Sequence, residues 1–244
     1  MADWQNAPVL CKLKRSSVPM VSKVPIGEGI NLIKKAFDYE FTGESKVWPF
    51  VIPDKILKLD VNIIQIVGPS GAGKSTFLKA FNGAGWHYPT KKYDKTRAII
   101  DNFADPEEGK AVLTAVGLSS IPKWCRHRSV LSTGEGFRAD LALNLESKVM
   151  IDEYTSVVNR ECAMSASNSV QKYIRKKGLK KVIFCGCHYD IIPMLKPDIL
   201  IDLNTEKVYD LRGYRLGKAS TSPSSKSTER GRERSGRYSL HITI

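Results

Sequence analysis

Residues 61–76, VNIIQIVGPSGAGKST, decide the fold. The first half, residues 61–68, is a continuous apolar run too short for a helix and closed by a glycine turn, the pattern of a strand buried on both faces. The second half satisfies G-x-x-x-x-G-K-[ST] from Gly68 to Ser75, and residues 74–82 continue at helical spacing. Glycines let a backbone wrap closely enough for successive N–H groups to face phosphate oxygens, and the start of the helix adds the positive end of its dipole. Gly68, Pro69, Ser70, Gly71, Ala72, Gly73, Lys74, Ser75 and Thr76 are therefore the candidate nucleotide-binding residues. Lys74 is placed to reach β- and γ-phosphates and the Ser75 hydroxyl to hold Mg²⁺, so ATP and magnesium are the expected cofactors.

Around this centre, strands and helices alternate. Residues 37–41 and 46–52 read as a hairpin across the turn-prone TGES, and 97–100 as a further short strand. Helices are expected at 106–116, 137–145 and 161–178, the last closed by basic residues and Gly178. Strands are expected at 148–151, 181–187, 198–203 and 207–211. The whole reads as an α/β protein: a mainly parallel central sheet with flanking helices, an antiparallel N-terminal β part and a short helical insertion.

A chain of 244 residues at 42% hydrophobic can bury a full core, and one main domain is expected. The net charge of +13 favours polyanionic partners, nucleic acid among them. Residues 1–35 and 218–244 each carry six Lys/Arg against two acids, so together they hold +8 of the +13. They read as a basic N-terminal extension and a disordered basic tail around a domain at 36–217, with YSLHITI at the end alternating like a strand. Five cysteines, scattered at 11, 125, 162, 185 and 187, argue against a disulfide framework and for a reducing compartment. No run reaches the roughly 18 apolar residues of a spanning helix, and a cytoplasmic location is expected.

The nucleotide cradle alone leaves the reaction open, because GPSGAGKST opens nucleoside monophosphate kinases as readily as ATPases. Three further motifs bear on it. LSTGE at 131–135 stands before a helix, where Ser132 and the backbone N–H groups around Gly134 would make an anion site; Ser-x-Gly-Glu is equally an ordinary helix cap. KVMIDE at 148–153 is a strand ending on two adjacent acids, which repel each other and need a cation or a proton donor nearby. CHYD at 187–190 follows another apolar strand.

In this order the motifs resemble those of the ATP-binding-cassette (ABC) ATPases over residues 37–217, with LSTGE matching a signature usually written LSGGQ. The resemblance implies that Asp152 binds Mg²⁺ with Ser75, that Glu153 polarises the attacking water, and that His188 contacts the γ-phosphate, so Lys74, Glu153 and His188 carry catalysis. It further implies a head-to-tail, ATP-dependent homodimer in which each chain lends Ser132, Gly134 and Glu135 to the other's ATP. The chain departs from the family pattern at Asn159, where an aspartate is usual, and at RAIIDNFAD, where Asp101 or Asn102 would replace a glutamine. Trp48 and Phe50 are the aromatic residues available to stack a base. The wording of 116–142, with TSVVNR and CHYD, is most similar to soluble ABC ATPases of phages and bacteria, several of which continue into a GNAT-type N-acetyltransferase domain. That implies an acetyltransferase-type partner domain and a nucleic-acid-related or phage process. A monophosphate kinase and a non-catalytic nucleotide sensor or nucleic-acid-binding module are the alternatives.

Overall fold

The computed structural model describes residues 3–214. Its strands are β1 (Val9–Lys12), β2 (Lys14–Arg15), β3 (Met20–Lys23), β4 (Glu44–Val47), β5 (Phe50–Val51), β6 (Ile63–Val67), β7 (Met150–Ile151), β8 (Val182–Gly186), β9 (Ile199–Asp202) and β10 (Lys207–Asp210). Its helices are α1 (Glu28–Phe37), α2 (Asp54–Lys58), α3 (Lys74–Gly83), α4 (Pro106–Ala115), α5 (Ile121–Trp124), α6 (Thr133–Asn144), α7 (Arg160–Lys177) and α8 (Ile192–Leu195).

Six strands form one sheet in the order β1-β10-β9-β6-β8-β7. β9, β6, β8 and β7 run parallel, while β10 and β1 close the other side antiparallel. The expected apolar run is β6, every residue of it buried in the interior of this sheet. Its side chains alternate between two cores. Ile63 joins Val182, Phe184 and the buried faces of α4, α6 and α7, whereas Ile64 and Ile66 join Ile183, Cys185 and the phenylalanines of α3. Gln65, the one polar residue of β6, is buried with the rest, and the apolar residues on either side of it are what a sheet covered on both faces requires.

Local chemistry sets the helix ends. Asp105 caps α4 by accepting from Glu107 N, followed by a proline in the first turn. α7 begins at Asn159, whose side chain accepts from Cys162 N, and ends on Gly178 at φ 66° with Arg175, Lys176 and Lys177 in its last turn.

Two expected elements differ. Residues 37–41 and 46–52 are not a hairpin: Phe37 ends α1, Asp38 takes the left-handed cap, β4 pairs with β3 and β5 with β2. Ile30, Ile33 and Phe37 share a helical face, so the alternation in FDYEF was a coincidence of a helix end, and Pro49 separates β4 from β5. Nor is 97–100 a strand. Asn102 Oδ1 accepts from Asp94 N at 2.7 Å and its amide donates to Ala98 O at 2.7 Å, which folds this stretch into a 3₁₀ turn at Ile100–Asn102. β1, within the stretch 1–35, is an edge of the main sheet. The expected tail at 218–244 lies outside the described residues.

One carboxylate ties the base of the sheet together. Asp198 accepts from Asn62 N at 2.7 Å and Ile63 N at 2.9 Å, and from Arg175 at the end of α7 at 2.9 Å. Asp198→Ala leaves these donors unpaired and should lower the unfolding free energy by about 2–4 kcal/mol; an unchanged denaturant midpoint would refute this role.

Candidate functional site

β6, β7 and β8 end at the same edge of the sheet, and the chain turns that leave them meet there. The turn after β6 is shaped by its glycines. Gly71 and Gly73 hold φ of 79° and 88°, in the left-handed region that favours glycine. A side chain on Gly68 would lie 3.2 Å from the Cβ atoms of both Ala72 and Leu203. Lys74 folds back over the turn, donating to Gly68 O at 2.9 Å and Pro69 O at 2.8 Å. An ammonium has three protons, so one remains to be given to an anion above the loop. Pro69 and Ser70 are exposed at the tip, and Thr76 faces a neighbouring cleft.

Helix α3 is fixed under this turn by an edge-to-face chain, Phe50–Phe77–Phe81–Trp86, with centroids 6.1, 5.2 and 5.2 Å apart. Phe50 is thereby a core residue at 5% exposure, whereas Trp48 stands 45% exposed beside a cleft of about 310 Å³ that also touches Gly71 and Gly73. Arg15 braces this wall. Its guanidinium lies 4.2 Å from the Phe50 ring centroid and donates to Trp48 O at 3.2 Å and to Glu206 at 2.7 Å. No local pattern in the sequence marks Arg15, whose partners lie 33 and 191 residues away.

The two adjacent acids part company. Asp152 is half-buried and accepts from Ser75 Oγ at 3.0 Å and from Glu153 N at 2.9 Å. Glu153 takes φ 52° and swings its carboxylate to the surface, where no side chain or N–H donates to it among the described residues. Thr155 is also left-handed, at φ 69°, an uncommon and strained state for a β-branched residue. The surroundings hold that strain. Tyr154, between the two, is buried, its ring 4.5 Å from that of Phe184 and its hydroxyl 3.1 Å from Ser167 Oγ. Its N–H donates to Cys185 O at 2.8 Å, and a Cβ at Gly186 would come within 3.0 Å of Tyr154 O.

His188, past the end of β8, reaches this turn through Nδ1, 3.2 Å from Thr155 Oγ1. Burial lowers its pKa below the usual histidine value; nearby Arg160 lowers it further, against opposition from Asp190 and Glu153. The ring is therefore neutral at pH 7. Arg160 is itself held by Asp190, with Nε 3.0 Å from Oδ2. Thr155 and Arg160 bound the TSVVNR stretch, but their relation to His188 is not legible there, because that partner is 33 and 28 residues away and joins them only when β8 docks beside β7.

Ser75 and Asp152 fit a small hard cation: Mg²⁺ takes one or two protein oxygens and completes its shell with phosphate oxygens and water. An all-protein metal cage does not occur among the described residues.

Ser132, Gly134 and Glu135 start α6. Ser132 Oγ accepts from Glu135 N, and Glu135 answers by accepting from Ser132 N at 3.1 Å, a complete capping box. Glu135 also pairs with Lys123, which together with the Ser132 N–H holds its carboxyl at about 2. The exposed Ser132 makes no hydrogen bond to residues 68–76 among the described residues. Gly134 packs against the stretch that follows the acids: a Cβ there would lie 3.1 Å from Val157 O. Asn159 is the cap of α7, a task aspartate performs equally well, so this departure from the pattern retains the local structure. Asp101 is exposed, and Asn102 is engaged in its own turn.

No protein-family profile matches the chain. A phosphate import ATP-binding protein (PstB) of Methylobacillus flagellatus is 41% identical over 61 residues, a match covering 22% of this chain and 24% of that protein's length. The chain thus spans about a quarter of the curated relative it matches. An ATP-binding cassette of an ABC transporter in its ADP conformation aligns over 67% of this chain and 82% of its own, at 16% identity and a TM-score of 0.45. A bacterial ABC transporter cassette whose solved structure is dimeric aligns over 83% of this chain and all of its own, at 14% identity and a TM-score of 0.52. The chain has the P-loop α/β fold of an ABC ATPase cassette.

Proposed function

We propose that this protein binds ATP with Mg²⁺ and hydrolyses it in a site completed head to tail by a second copy of the chain, and that the cycle acts on a nucleic acid. The observation that carries the reading is the convergence of Lys74, Ser75, Asp152, Glu153 and His188 on one edge of the sheet, while the capped, exposed turn at Ser132 makes no bond to that edge within its own chain.

Lys74 and the N–H groups of the glycine turn bind the β- and γ-phosphates, and Trp48 stacks the base in the cleft that Arg15 braces. Ser75 and Asp152 hold Mg²⁺, which when bound offsets charge on the phosphate oxygens. Glu153, whose carboxylate accepts no hydrogen bond among the described residues and is turned outward, orients and polarises the attacking water. If Thr155 donates to His188 Nδ1, the neutral ring carries its proton on Nε2 and can give a hydrogen bond to the γ-phosphate. Ser132 and the N–H groups around Gly134 of the second copy cover the same phosphate from the other side. Within one chain, Gly134 leans on the stretch leading back to Glu153, so a partner's ATP is felt at the hydrolytic turn. The net charge of +13 supports a nucleic-acid partner, and five free cysteines support a reducing, cytoplasm-like compartment. A phosphotransferase would instead need an added nucleoside monophosphate for turnover, which a phosphate-release assay with ATP alone separates.

Lys74→Ala should weaken ATP binding by about a hundredfold through loss of charge-assisted hydrogen bonds; calorimetry showing unchanged affinity would remove the cradle. Glu153→Gln should bind ATP, fail to hydrolyse it and elute as a dimer only with ATP; a monomer under those conditions contradicts the shared site. The pH profile tests His188. Arg160 disfavours the imidazolium, and its loss also frees Asp190 to favour it, so Arg160→Gln must raise the His188 pKa. The imidazole resonances of His188, followed by NMR across pH, should then titrate at higher pH than in the wild type, and an unmoved midpoint would show that Arg160 does not tune this ring.

A further inference from the structure

Two loops beside α6 gather positive charge. Residues 89–97 and 123–130 hold seven Lys/Arg against a single acid, Asp94. They abut, with Ile99 N donating to Arg126 O at 3.0 Å, and they border a cavity of about 590 Å³ walled by Lys92, Lys95, Arg128 and Asp140. Three of the cations are balanced: Lys91 by Glu146, Lys123 by Glu135 and Arg128 by Asp140. The other four, Lys92, Lys95, Arg97 and Arg126, are exposed and make no ion pair among the described residues. Asp94 is one charge against four, and its exposed carboxylate is engaged in its own turn, accepting from Thr96 N and Oγ1 at 2.8 and 2.7 Å.

The arrangement selects among anions. A small anion wants several donors converging on one point, whereas these four are exposed side chains distributed over two loops. A membrane surface wants a cluster of apolar side chains to insert beside the charges; Ile121 and Val130 are the large exposed apolar residues at these loops, and most of the others belong to residues 18–51. A nucleic acid offers what the patch matches, a row of phosphates about 1.7 Å apart along the duplex axis. The patch is also joined to the signature helix. Arg128 lies across Gly136, where any side chain would overlap its guanidinium, and is bonded to Asp140 two turns into α6.

We infer that residues 91–97 and 126–128 form a docking surface for the sugar-phosphate backbone of a nucleic acid, an inference that rests on the nucleic-acid reading above and gives it a place. Lys92, Lys95, Arg97 and Arg126 neutralise phosphates, and Arg128 couples the bound strand to α6.

The test compares the full-length protein with two fourfold alanine variants of equal charge change: Lys92, Lys95, Arg97 and Arg126 in one, and Lys35, Lys58, Lys172 and Lys176 in the other. Binding to a fluorescent 30-base-pair DNA duplex, an RNA duplex of the same sequence and anionic phosphatidylserine vesicles is followed by anisotropy or sedimentation across a salt series, with ATP hydrolysis measured alongside. The patch variant should lose at least about tenfold in duplex affinity and about 3–4 units of the log–log salt slope, one for each lost phosphate contact. The control variant should lose far less, and both should keep wild-type basal hydrolysis. Equal losses in the two variants would overturn the patch while leaving the nucleic-acid reading standing. A wild-type protein that binds neither duplex, or that binds only the vesicles, would overturn both, and hydrolysis measured on the same samples shows whether the ATPase reading survives.

Discussion

A single hydrogen bond, Ser75 Oγ to Asp152 Oδ2 at 3.0 Å, spans the end of β8 and joins the turn after β6 to the acids after β7. It can form only because three parallel strands end together, and that edge is where open α/β sheets place their ligands. The buried strands serve this alignment: Ile64 sits opposite Ile183, Ile66 opposite Cys185, and Ile151 opposite Phe184, so a slip of one residue would break the Ser75–Asp152 bond and misplace His188.

Two of the left-handed non-glycine residues lie next to that bond. Glu153 and Thr155 are held left-handed on either side of a buried tyrosine, and Gly186 is the residue small enough to let Tyr154 sit where it does. Left-handed conformations of this kind cost about 1–3 kcal/mol each and persist only where packing dictates them. Their result is specific. Two neighbouring carboxylates that would repel are aimed apart, one inward to the Ser75 hydroxyl and one outward to water.

What the sequence revealed and what it concealed follow from range. The glycine cradle, the α6 capping box and the cap of α7 are patterns of a few consecutive residues, and each forms as those patterns require. The hairpin expected at 37–52 failed because period-two alternation over five residues also occurs at the end of an amphipathic helix. The strand expected at 97–100 failed because Asp94 and Asn102 close a turn that hydropathy does not register. Arg15 carries no local signal, and TSVVNR, which Thr155 and Arg160 bound, does not say what either side chain touches; their roles come from partners that the sheet topology delivers. Glu135, expected at the shared nucleotide, is held by Lys123 and the start of its own helix, while Ser132 keeps its exposed position.

The central claim is that one ATP is held by two chains, and complementation tests it most directly. Lys74→Ala and Ser132→Arg should each be inactive alone, since each removes one half of every site. Mixed, they can form pairs in which the lysine of one chain faces the serine of the other. Phosphate release should then reappear, rising with the fraction of mixed dimer. A mixture that shows no more than the sum of the two separate activities, or a Ser132→Arg protein that hydrolyses ATP by itself, would contradict the account.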